Sequence, residues 1–171
     1  MVNILDKVQP KNKAQLAQLI YYAFKHNIYD LNFIDTSKIT DMFWLFRYND
    51  YNFDVSGWDV SNVTNMSAMF YYCKNFNCDL SNWDVSNVEN TSYMFYNCKN
   101  FNCDLSNWDM SKALRINEMF YGCKNFEGKG LENWKLEKTL FYYDIFTGCD
   151  KVKLPSWYKA FLKRCNLEFF K

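Results

Sequence analysis

Sulfur is the first place to look for chemistry in this chain. Cys73 and Cys78 form a C-x4-C pair, and Cys98 and Cys103 repeat it 25 residues later. Four thiolates would suit a tetrahedral zinc ion, although the spacing is looser than the usual clasp. A competing reading takes Cys73, Cys98, Cys123 and Cys149, which share one repeat position. Stacked turns would set such residues about 5 Å apart, as a ladder of small buried hydrophobes. That reading is preferred to the zinc site and to a disulfide joining Cys78 and Cys103 across neighbouring turns. No metal and no cofactor are expected. Seven cysteines leave at least one thiol unpaired within the chain.

The remaining reactive groups do not converge. His26 is the only histidine, and its place at the end of a helical pattern suits a positive side chain without any catalytic role. The acids of the Asp59, Asp84 and Asp109 column occur singly on successive turns, unlike the dense oxygen loop that calcium needs. Recurring Asn62/Asn87 and Asn75/Asn100/Asn125 read as local backbone partners at turns. No glycine-rich phosphate loop is present. Catalysis needs groups gathered at one point, and columns do not supply that, so the expectation is no enzyme and no small-molecule substrate.

These columns exist because the chain repeats. Asp59 to Trp83 and Asp84 to Trp108 are identical at 21 of 25 positions, differing at Thr64/Glu89, Met66/Thr91, Ala68/Tyr93 and Tyr72/Asn97. A fixed period in this range is the signature of stacked repeats. Leu-x-x-Trp anchors at Val55/Trp58, Leu80/Trp83, Leu105/Trp108, Leu131/Trp134 and Leu154/Trp157, with Leu31/Ile34 before them, mark turns of 23–26 residues. An extra residue falls near Glu127-Gly128-Lys129-Gly130, where two glycines ease a bulge. Val63, Met66, Met69, Phe70 and Cys73 stand at helical spacing and predict a short helix or 3-10 turn in each unit. Phe76 through Leu80 to Val85 predicts an extended stretch.

The expectation is therefore one domain over 1–171, an α/β solenoid of about five strand-plus-helical-turn units over 30–157. Capping helices are predicted at 12–26, from the Asn12 to Gln15 capping pattern, and at 156–168 after Pro155. Net charge is +1, which gives no bulk attraction to nucleic acid. The cluster of Lys151, Lys153, Lys159, Lys163 and Arg164 reads as a solvated cap face. No stretch is apolar enough for a membrane span or a signal-peptide core, which points to the cytoplasm; a trimmed export signal would place the protein at the cell surface or outside it.

The repeat unit W-D-V-S-N-V-T-x-M-x-x-M-F-x-x-C-x-x-F-N-x-D-L-S-x-W resembles that of the BspA-like leucine-rich-repeat family of bacterial surface proteins, over roughly Asp30 to Trp157. The resemblance implies a curved, right-handed, leucine-rich-repeat-like stack used for recognition, often adhesive. Aromatic residues make up 20% of the chain, too much ring surface to leave unused. Trp58, Trp83, Trp108 and Trp134 share the frame of buried Leu or Val and read as core. Tyr71, Tyr96 and Tyr121 follow the in-frame phenylalanines by one residue and point away from that face; Tyr72, Tyr93 and Trp44 lie on the same side. A row of tyrosines is what protein-binding surfaces enrich. The expected function is a protein-binding module using this side, acting as an inhibitor by occlusion. A surface adhesin and a structural spacer are the alternatives.

Overall fold

The computed structural model describes residues 7–164. After an N-terminal helix, α1 (Lys13–Lys25), the chain winds into five stacked coils and ends on a second helix, α2 (Ser156–Arg164). Between them the only helical segment among the described residues is a 3-10 turn at Leu131–Asn133. No strand longer than an isolated bridge occurs among the described residues. The expected α/β solenoid, with a strand and a helix or 3-10 turn in each unit, is therefore corrected. The repeats are made of β-turns.

The coil from Val60 to Trp83 shows how. Backbone bonds close Val60 to Val63 at 2.9 Å, Met66 to Met69 at 3.1 Å, Phe70 to Cys73 at 2.9 Å, Cys73 to Phe76 at 3.2 Å and Leu80 to Trp83 at 3.1 Å. A β-turn brings its first and fourth residues together on one side. All of these end residues are buried. The apolar i, i+3 spacing that suggested a helical face is thus the spacing of turn ends, and the two patterns coincide over so short a run.

Two turns per coil need a left-handed residue. Ala68 (φ 52°) and Tyr72 (φ 60°) are the third residues of Met66–Met69 and Phe70–Cys73, the position where a type II turn requires positive φ. The columns continue as Trp44, Ala68, Tyr93, Glu118, Asp144 and as Tyr48, Tyr72, Asn97, Gly122, Gly148, all left-handed. The conformation is uphill for a residue with a Cβ, yet it aims each amide along the stack. Met66, Ala68, Phe70 and Tyr72 donate to the carbonyls of Asn90, Ser92, Met94 and Tyr96 in the next coil at 2.8–2.9 Å. Alternate residues thus bond as in a parallel ladder, and one bridge column runs Asp41, Asn65, Asn90, Arg115, Phe141.

Side chains lock the same spacing. Phe46, Phe70, Phe95, Phe120 and Phe146 stack with centroids 5.5–5.8 Å apart and planes within 7°. The indole N–H groups of Trp58, Trp83 and Trp108 donate to Leu31, Val55 and Leu80 of the preceding coil at 3.0–3.1 Å. At the bulge, Gly128 and Gly130 are both left-handed, and a Cβ on Gly130 would strike the backbone of Ser106.

Helix α1 closes one end. Asn12 Oδ1 accepts the Gln15 amide at 3.0 Å, and Leu16, Ile20 and Ala23 face the core. It stops at His26 because Asn27 is left-handed and the Ile28 amide returns to Ala23 O at 2.9 Å, a Schellman ending. Helix α2 begins where Glu132 accepts both the amide and the hydroxyl of Ser156. The C-terminal helix expected to reach residue 168 runs to Arg164; the remainder lies outside the described residues.

Two outcomes are expected in urea denaturation. Trp83→Phe loses the bond to Val55 and leaves unfilled volume, and should destabilise by about 2 kcal/mol; no measurable loss would mean the indole columns do not tie the coils. Ala68→Gly removes a Cβ from a left-handed site and should stabilise by about 0.5–1 kcal/mol, whereas a destabilised variant would contradict the strain.

Candidate functional site

One face of the stack is aromatic. Tyr71, Tyr96 and Tyr121 occupy the same place in three successive coils and stack at 4.9 and 4.7 Å, with planes 19° and 7° apart. Tyr72 lies 4.9 Å from Tyr71 and 5.5 Å from Tyr96, and Tyr93 lies 6.0 Å from Tyr96. The structure thus brings the five tyrosines singled out by sequence onto one continuous face. Each is half-buried, its ring partly covered by its neighbours, so they do not form a fully exposed row. The side that carries them is built of turns and not of helix. Trp44, at the end of this face, is 45% exposed.

Beside the tyrosine stack runs a groove of about 510 Å³ that crosses four coils. Phe43, Trp44, Tyr48, Ala68, Tyr71 and Tyr93 line it together with polar Ser67, Asn90, Ser92 and Asn117, and Arg115 contributes from the fourth coil. Asn117 is only 8% exposed, and its Oδ1 is buried without a hydrogen-bond partner among the described residues. Two exposed guanidiniums sit over rings on this face: Arg47 lies 4.2 Å from the Trp44 ring centre and Arg115 5.6 Å from that of Phe141. Burial raises the Tyr71, Tyr93 and Tyr96 hydroxyls above their ordinary pKa.

Sequence reasoning missed Phe43, Tyr48, Arg47, Arg115 and Asn117. Tyr48 could have been found by carrying the Tyr72 column one coil earlier. The two arginines could have been found the same way: Arg47 stands where the later coils carry Tyr71, Tyr96 and Tyr121, and Arg115 stands in the column of Asn65 and Asn90, so each breaks its column.

The cysteines considered for zinc do not converge. Cys73 and Cys98 are in the core, with thiols donating to Phe46 O and Phe70 O at 3.0 and 2.9 Å. Cys123 and Cys149 repeat that bond to Phe95 and Phe120. Cys78 and Cys103 lie elsewhere in the coil, accepting the amides of Val55 and Leu80 at 3.5 and 3.1 Å. Among the described residues no group of three or more His, Cys, Asp or Glu side chains is placed to hold a metal ion. The aspartates act locally: Asp59, Asp84 and Asp109 each accept the amide of the serine two residues on. His26 Nδ1 lies 2.8 Å from Tyr22 O at the end of α1.

The model of the family described as "Mycoplasma protein of unknown function, DUF285" matches residues 14–134, well over half of the chain. The chain belongs to that family. Comparison with curated proteins and with solved structures found no match. In this DUF285 chain no helix among the described residues is long and apolar enough to cross a membrane.

The buried thiols make stability sensitive to alkali. Burial raises Cys73 and Cys149 from 9.0 to about 12, so the unfolded thiols ionise first. The folded state then holds more protons between those values, and the stability they contribute, complete below pH 9.0, is lost as pH rises toward about 12. The urea midpoint should fall across that window, less steeply in Cys73→Ala than in the parent; a midpoint flat to pH 11 would contradict it.

Proposed function

We propose that this protein is a non-enzymatic binding module that recognises another protein through its aromatic face. The observation that carries the reading is the tyrosine stack bordering an open groove with Trp44 and Tyr48 at one end, 45% and 63% exposed. Tyrosine and tryptophan supply large contact area with few rotatable bonds, and their polar atoms stay wet while the rings are covered. The ladder fixes those rings in advance, which lowers the ordering cost of binding. The chemistry on this face is suited to contact and lacks a set of reacting groups. The simplest action is occlusion of the partner's own working surface, as an inhibitor would act.

The BspA-like pattern of the repeat, compatible with membership of the DUF285 family, supports a second setting for the same face, at a bacterial surface as an adhesin. Labelling of intact cells with a membrane-impermeant reagent separates the settings: a labelled protein favours the surface, and labelling only after lysis favours the interior.

The face itself is tested by affinity purification from the source organism with the tagged protein and a Trp44→Ala/Tyr71→Ala/Tyr96→Ala variant of confirmed fold. The parent should recover a partner near one-to-one stoichiometry and the variant at least about tenfold less, since each anchor of this kind is worth about 1–2 kcal/mol. Undiminished recovery by the folded variant would remove the aromatic face from the function.

A further inference from the structure

We propose that the groove beside the tyrosine stack takes an extended acidic segment of a protein partner, with one carboxylate on Arg47, a second on Arg115 and an apolar side chain between them. This rests on the protein-binding reading and names the chemistry of the partner.

The charges carry the argument. Arg47 and Arg115 are exposed and have no carboxylate partner among the described residues, where the one ion pair is Lys13 to Asp41 at 3.2 Å. Each guanidinium lies over a ring, Trp44 and Phe141. A guanidinium over a ring still has N–H groups free to grip a carboxylate with two bonds. The two arginines belong to coils that are three steps apart, roughly 15 Å along the stack at strand spacing. An extended chain covers that axial distance in about five residues, a lower bound, because Arg47 stands further round its coil than Asp41, the first-coil member of the Arg115 column.

The groove runs from Trp44, which Arg47 covers, to Arg115, and it fits such a segment. Its walls are rings, which suit an apolar side chain, and its floor includes Asn117, whose Oδ1 is buried and unpartnered. Ser67, Asn90 and Ser92 offer further polar groups along it for the main chain of an extended peptide. Nucleic acid is the less favoured occupant. The net charge is +1, and the Glu118 carboxylate lies beside the Tyr93 hydroxyl at the groove, where it would repel a run of phosphates. A peptide can place its acids at the ends and avoid it.

The test is selection of a displayed random library, with peptides of about twelve residues to span the groove, on the full-length protein and on Arg47→Gln/Arg115→Gln. The parent should enrich peptides with two acidic residues about five or more apart flanking an apolar one, and the double variant should not. A synthetic copy of an enriched peptide, followed by fluorescence anisotropy, should bind at least about tenfold more weakly to each single Gln variant and more weakly as salt rises. Thermal melts establish that every variant is folded. Enriched peptides without the acidic pair, bound equally by the double variant, would overturn this inference and leave the protein-binding reading standing. No enrichment over the naive library would overturn it as well, with the affinity purification above deciding the broader reading separately. Binding of a labelled single-stranded oligothymidylate that is lost in the double variant would overturn the peptide assignment in favour of nucleic acid.

Discussion

Everything in this molecule depends on the distance between one coil and the next. Alternate amides of each coil donate to carbonyls of its neighbour, from Met42, Trp44, Phe46 and Tyr48 at one end to Ile116, Glu118, Phe120 and Gly122 at the other. That bonding holds the coils near strand spacing, and every other column inherits the interval. The phenylalanines stack because their coils do, at 5.5–5.8 Å. The indole and thiol donors reach back to carbonyls of the preceding coil for the same reason. A backbone made of turns would otherwise leave many polar groups unpaired beside an apolar core, and such groups are costly when buried.

The left-handed columns connect this bonding to the surface. Each coil needs two residues of positive φ to turn its amides along the stack. Glycine meets that need at Gly122 and Gly148, while Trp44, Tyr48, Tyr72 and Tyr93 adopt the conformation at a cost. Bulky rings at such positions are uncommon, and here four of them belong to the aromatic face. The fold thus gives up some local stability where it displays its largest exposed rings, a pattern that strained backbone follows at binding sites.

The thiol columns illustrate how position sets chemistry. The thiols of Cys98 and Cys123 are fully covered and pushed well above their ordinary pKa by burial. Such thiols serve as small core residues that also give a second hydrogen bond to a carbonyl already accepting the turn-closing amide of the preceding coil. The C-x4-C spacing that first drew attention is a product of the repeat length: its two members sit on different turns and satisfy different backbone groups.

The sequence by itself determined the period, the composition of the core and the start of the first helix. Near-identical units can bury the same residues only by stacking in register, so the tryptophan and phenylalanine columns and the side carrying the tyrosines were readable from one chain. It did not determine what each unit is made of. Apolar residues three apart satisfy both a helical face and the ends of a β-turn, and only the inter-coil hydrogen bonds, made between residues about 25 apart, select the turns. Nor could it show that Arg115 and Asn117 line one groove whose far end, Trp44, lies under Arg47. Arg47, Arg115 and Asn117 stand in different columns, Arg47 in the first coil and the other two in the fourth, and a periodic reading compares like with like, whereas the tertiary structure sets unlike columns side by side.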